Sequence, residues 1–101
     1  MEKVKVNNRS KVQDVQILVT AGDLKGEIDL IWEPVYNANS YVIQCATSAS
    51  DSRRWKHIDI VGESRCTVSC LKSGYKYCFR IAAITSRGQC PWSEIVTKTA
   101  P

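Results

Sequence analysis

Apolar residues along this chain recur with a period of two in nearly every segment, which is the spacing of a half-buried strand and not of a helix. Val15 to Thr20 (VQILVT) reads as a first strand, closed by the turn formers Ala21-Gly22-Asp23 and Gly26. Glu27 to Glu33 (EIDLIWE) sets Ile28, Leu30 and Trp32 on one side against Glu27, Asp29 and Glu33 on the other. Pro34 then ends its pairing because proline has no N–H to donate. After the turn Asn37-Ala38-Asn39, Tyr41 to Thr47 (YVIQCAT) places Tyr41, Ile43 and Cys45 on a common face. Ser48 to Arg54 is a polar loop, and Trp55 to Val61 and Arg65 to Ser69 are short strands separated by Gly62-Glu63-Ser64. Tyr75 to Thr85 is the longest strand and Ile95 to Thr99 the last.

Seven strands with no helix between them bury one face each only if two antiparallel sheets lie face to face, so the fold class is all-β, a seven-stranded antiparallel β-sandwich. With 101 residues, the chain holds one domain. An apolar share of 44% and a charged share of 24% are those of an ordinary globular chain. Residues 1–13, rich in Lys, Asn and Arg, read as a flexible tail, and 14–101 as the domain.

The net charge of +4 comes from scattered Lys and Arg with no long basic block, which argues against nucleic acid as a partner and slightly favours acidic ones. No apolar run reaches the length of a membrane span, so no membrane insertion is expected. The opening residues lack the apolar core of a secretory signal. The chain is therefore either cytoplasmic, if whole, or extracellular or cell-surface, if excised from an exported parent. Asn8-Arg9-Ser10 fits the glycosylation acceptor pattern, which matters only for export.

Five cysteines, Cys45, Cys66, Cys70, Cys78 and Cys90, fit no CxxC metal or redox motif. Cys66 and Cys70 would lie about 13 Å apart on a strand, too far for one metal or one disulfide. Reduced thiols acting as small hydrophobes are expected, with a bridge or an oxidation-prone surface thiol as the alternative.

Four segments, taken in order, resemble a fibronectin type III domain: Trp32 in LIWEP, Ser40 to Gln44 (SYVIQ), Leu71 to Tyr77 (LKSGYKY) and Phe79 to Glu94 (FRIAAITSRGQCPWSE). The third is similar to that family's L-x-P-G-x-x-Y corner, with Ser73 in place of proline. The resemblance spans roughly residues 15–101 and implies an immunoglobulin-like sandwich whose structural core includes Trp32, Tyr41, Leu71, Tyr77 and Phe79. It also implies that the Tyr77 hydroxyl bonds an upstream backbone carbonyl, with Gly74 at positive φ before it and Tyr75 partly covering the end of the sandwich. With Tyr77 inward, alternation sends Phe79, Ile81 and Ala83 inward, and Cys78, Arg80, Ala82 and Ile84 outward, leaving Cys78 half-exposed. By the same resemblance Cys45 and Cys66 sit in the core on opposite sheets, where a bridge between them is conceivable.

Candidate chemistry is sparse. The single histidine, His57, reads as solvent-facing and has no cysteine positioned beside it, and no phosphate loop or cofactor motif is present, so neither catalysis nor a cofactor is expected. Arg53, Arg54 and Trp55, followed by Lys56, form the densest basic-aromatic cluster, with chemistry for a sugar, base or phosphate; a solvated loop anchored by Trp55 is the plainer reading. Arg87-Gly88-Gln89 occupies the loop where some members of the family carry an adhesive Arg-Gly-Asp. Gln89 removes the carboxylate that would ligate a metal, leaving a tight turn with Gly88 at positive φ. Trp92-Ser93 resembles half of the tryptophan-serine repeat of cytokine-receptor modules, and Trp92 is expected to cover the end of the sandwich. The resemblance implies a monomeric, non-catalytic spacer or protein-interaction module of a larger protein, contacting neighbouring domains or an unidentified protein partner. A carbohydrate- or polymer-contacting accessory domain using Trp55 and Trp92 is the alternative.

Overall fold

The structure, a computed structural model, describes residues 15–47 and 54–101; the expected tail over 1–13, Asn8 and Arg53 lie outside them. Among the described residues eight strands form two antiparallel sheets: β1 (Ile17–Ala21), β2 (Ile28–Trp32), β3 (Ser40–Ala46), β4 (Lys56–Val61), β5 (Arg65–Val68), β6 (Lys76–Thr85), β7 (Gly88–Gln89) and β8 (Val96–Thr99). One sheet has the order β1-β2-β5; the other runs β4-β3-β6-β7, with β8 also paired to β6.

The strand beyond the seven expected is β7, and its origin is local. Thr85 pairs Gly88 across Ser86-Arg87, and Gly88 has a φ of 116° while neither central residue has a positive φ. This is a turn followed by a glycine in the bulge position, which tightens the twist. The Thr85 hydroxyl accepts from the Arg87 N–H at 3.1 Å and supports the turn. Past β7 the regular ladder stops at Pro91, which has no N–H to give. The Cys90 N–H still bonds the Ala83 carbonyl, the Ser93 N–H bonds that of Ile81, and the Ser93 Oγ accepts the Ile81 N–H at 2.9 Å. A side-chain oxygen thus stands in for the missing carbonyl of a ladder, and β8 resumes at Val96 opposite Phe79.

Between the sheets Phe79, Ile28, Leu30, Ile43 and Ile81 are fully buried, with Trp32, Tyr41, Cys45, Val68, Tyr77 and Ala83 around them. Trp32 meets Tyr41 edge to face, with ring centroids 5.3 Å apart and planes at 72°, the geometry the ring quadrupoles favour. Leu71 is half-buried against the rim of this core, as is Cys66 on β5, which the sequence placed fully inside. All five cysteines are free, so Cys45 and Cys66 are not bridged.

Two tyrosines pin loops. The Tyr77 hydroxyl accepts the Lys72 N–H at 2.9 Å, so the corner bond is made to a backbone donor and not to the carbonyl expected from the sequence. The Tyr41 hydroxyl likewise accepts the Val35 N–H at 2.9 Å and holds the chain just past Pro34. Tyr75 is 53% exposed, and the Lys72 ammonium lies 5.1 Å above its ring.

Gly26 makes the tightest backbone approach. Its φ is 77°, and a Cβ there would lie 2.5 Å from the Leu71 carbonyl oxygen, a conformation and a clearance that only glycine tolerates. Around it the Leu71 N–H bonds Gly26 O, the Gly26 N–H bonds Pro101 O and the Gly74 N–H bonds Ala100 O. Residues 100 and 101 are therefore stitched to the end of the sandwich where Ala21 pairs with Ile28. Strand β1 starts at the other end, with Ile17 opposite Trp32 and Val15 buried before it. Val15 and Pro101 consequently lie at opposite poles.

Candidate functional site

The core cluster leaves out four buried apolar residues, Val42, Ala46, Cys78 and Ala82, all of which face away from the opposite sheet. On β6 they alternate with the inward Tyr77, Phe79, Ile81 and Ala83, and on β3 with Tyr41, Ile43 and Cys45. Cys78 is 1% exposed and Ala82 is 0% exposed. The expected half-exposed Cys78 is thus corrected: an outward strand position is wet only when nothing crosses it, and here large side chains do.

Those side chains are Trp55, Arg80 and Trp92. The Arg80 guanidinium carbon lies 4.3 Å from the Trp55 ring centroid and 4.2 Å from that of Trp92, so the cation is held between two indole faces. Such stacking is attractive because the ring quadrupole presents its negative face to the cation, and it strengthens as water is removed. Gln44, opposite Arg80 in the β3–β6 register, accepts from Arg80 Nε at 3.0 Å and Nη2 at 2.7 Å through its Oε1. Burial of the guanidinium lowers its pKa, yet an arginine stays charged at any physiological pH. Beneath this layer the Cys78 Sγ lies 3.6 Å from the Thr97 Oγ1.

Trp92 therefore sits on the face of the sheet and not over its end, and the reason is the irregular stretch at Pro91. By tying Ser93 to Ile81, the chain turns the preceding indole outward onto Arg80. Trp55 is half-buried immediately before β4 and reaches the same cation from the other side. His57 is exposed and faces Gln44 across the β3–β4 register, so that His57, Gln44 and Arg80 form one row over three strands.

The other candidates fall elsewhere. Arg87, Gly88 and Gln89 are exposed on the β6–β7 turn, with no contact to the stacked layer. Arg54 is exposed and borders an open cavity of about 880 Å³ between β4 and β5, together with Trp55, Lys56, Cys45, Cys66 and Cys70. Two of these thiols, Cys45 and Cys66, are poor nucleophiles. Burial, reinforced by Cys78 and partly offset by Lys56, pushes Cys45 up to about 11. Burial also raises Cys66, helped by Asp59 and Asp29. Protonated thiols neither attack carbonyls nor ligate metals, and among the described residues no group of three or more His, Cys, Asp and Glu side chains could hold a metal ion. No helix among the described residues is long and apolar enough to cross a membrane.

Sequence reasoning singled out the two tryptophans but missed Arg80 and Gln44, which join them. Their signal was available: an arginine at an outward position between a cysteine and an alanine has nothing of its own size beside it on the strand, and must be covered or paired from elsewhere.

Comparison with known proteins supports this architecture. The sequence profile of the fibronectin type III domain matches residues 10–99. A titin homolog of Caenorhabditis elegans is 36% identical over 63 residues, covering 62% of this chain but, to the nearest per cent, 0% of that protein. The chain thus spans only a very small part of the relative it matches. An Fn3-like protein from Clostridium thermocellum superposes with a TM-score of 0.72 at 17% identity, covering 81% of this chain and 84% of that one. The twitchin kinase region from Caenorhabditis elegans gives 0.68 at 23% identity, covering 79% of this chain and 15% of that one. From the profile match over nearly its whole length, with the fold in agreement, the chain belongs to the fibronectin type III domain family.

Proposed function

We propose that this domain is a non-catalytic module of a larger protein that spaces its neighbours and presents a protein-binding face. The observation that carries the spacing role is the position of Val15 and Pro101 at opposite poles, with the last two residues bonded into the fold at Gly26 and Gly74. A chain entering at one pole and leaving at the other passes its neighbours along the long direction of the strands. The titin homolog that shares 36% identity is a far longer protein, consistent with a module in a series. The alternative of a polymer-contacting domain is weakened, because one face of each of Trp55 and Trp92 is taken by Arg80.

The test is small-angle scattering from one, two and three copies joined head to tail. The maximum dimension should grow by a constant increment per copy. A triple that folds back to little more than the length of a pair would overturn the spacing role.

A further inference from the structure

Arg80 is a charged group in a neutral setting. A guanidinium carries five N–H donors arranged as a planar fork. The Nε and Nη2 side of that fork is engaged by Gln44 Oε1, an uncharged acceptor, and both flat faces are covered by indoles. No carboxylate among the described residues pairs with it, and none of those residues offers an acceptor to the Nη1 and Nη2 side. Partial desolvation of a cation without a counter-ion costs stability, and a carboxylate binding there in bidentate fashion would recover it.

The surroundings carry the same sign. The strand registers put Lys76 and Arg80 on this outer face, with His57, Ile60, Ser40, Gln44, Ala46, Val42, Cys78, Ala82, Ile84, Gln89, Thr97 and Thr99 at the other paired positions and no aspartate or glutamate among them. Apolar surface flanks the row, since Ile60, opposite Val42, is 55% exposed, and Ile95, just before β8, is 49% exposed. A partner for this face needs carboxylates for Arg80 and Lys76 and apolar side chains for its margins.

Resting on the reading of the domain as a protein-interaction module, we propose that the outer face of β4, β3, β6 and β8 docks an acidic segment of a partner protein, with one carboxylate received on the Nη1 and Nη2 side of Arg80. Stacking and the Gln44 bond fix the guanidinium before the partner arrives, so little side-chain entropy is lost on binding. Lysine cannot replace it, because an ammonium offers neither the planar stack nor the second parallel bond.

The test titrates the whole chain with an oligoglutamate peptide, read by tryptophan fluorescence and by the NMR signal of Arg80 Nε–H. Saturable binding that weakens with salt and falls about tenfold in Arg80→Lys, the loss of one charge-assisted bidentate pair, is the expected result. A second variant, Gln44→Glu, keeps the stack and supplies the missing carboxylate from within; it should stay folded, unfold at a higher temperature and lose peptide binding by a similar factor. If Arg80→Lys does not fold, Gln44→Glu decides the question alone. No binding at millimolar peptide, equal binding by wild type and the variants, or a preference for a sulfated polysaccharide over the peptide would each overturn the proposal. None of these results alters the scattering of tandem copies, so the spacing role stands or falls separately.

Discussion

The two outer faces of the sandwich obey the same alternation and end in opposite states. On the three-stranded sheet, Leu18 and Ile31 are direct register partners and remain 63% and 48% exposed. On the five-stranded sheet, the outward Val42, Ala46, Cys78 and Ala82 are all buried. Large apolar residues are wet on one side and small ones dry on the other, so neither side-chain size nor strand period decides exposure. The difference is what crosses the face: Trp55 and Trp92 close on Arg80 over the five-stranded sheet, and the small residues beneath leave room for that layer. The domain therefore holds two buried layers, a core between the sheets and a thinner one outside a single sheet, and no carboxylate among the described residues pairs with the cation of the second.

Substitutions rank these layers. Phe79→Ala empties the centre of the inner layer and should cost about 3–5 kcal/mol in denaturant unfolding, since the residue is fully buried. Trp92→Ala removes half of the outer stack and should cost about 2–3 kcal/mol, combining a desolvated cation–π contact with lost apolar cover. If the two losses were equal, the outer layer would be as much a core as the inner one. A loss near zero for Trp92→Ala would make the stack an ornament of the surface.

Alkaline unfolding probes the inner layer by a different route. Cys45 has its thiol raised from 9.0 to about 11, so the folded state keeps a proton that the unfolded chain releases. Stability is then full below pH 9 and falls as pH rises from 9 towards 11, by about 2 kcal/mol for a shift of this size. Cys45→Val should remove that part of the fall, read as unfolding midpoint against pH, whereas an unchanged slope would show that the thiol ionises as freely as in water.

Three further substitutions sharpen the contrast at its edges. Tyr77→Phe leaves the Lys72 N–H without its acceptor and should cost about 1 kcal/mol with little change in the core. Leu18→Lys, on the open face, should shift stability by less than about 0.5 kcal/mol. Ala82→Lys, at an equally outward position on the covered face, should instead unfold the domain at ordinary temperature, because it drives an ammonium under the stack.

What the sequence made legible follows from distance along the chain. Trp32, Tyr41 and Phe79 announced themselves through local alternation, which a strand writes every second residue. Gly88 was also readable, because a tight turn demands its backbone freedom where it stands. Legibility failed where residues far apart in sequence meet. Arg80 is joined to Trp55 and Gln44 by the order of β4, β3 and β6, and to Trp92 by the way Ser93 replaces a carbonyl near Pro91. Cys78 was misjudged for the same reason, since the layer on its face is assembled from residues far apart in sequence. The Tyr77 bond was expected with its direction reversed because a phenol both donates and accepts, and only the position of the Lys72 N–H decides between them.

The central claim is that the five-stranded sheet carries a closed layer on its outer side, and thiol labelling reads it directly. Native protein is exposed briefly to iodoacetamide at neutral pH, and each cysteine is quantified by peptide mass spectrometry. Cys70, which is exposed, should be labelled quickly, while Cys78 stays unlabelled until Trp92→Ala or denaturant opens the stack. Labelling of Cys78 in the native wild type at the rate of Cys70 would contradict the account.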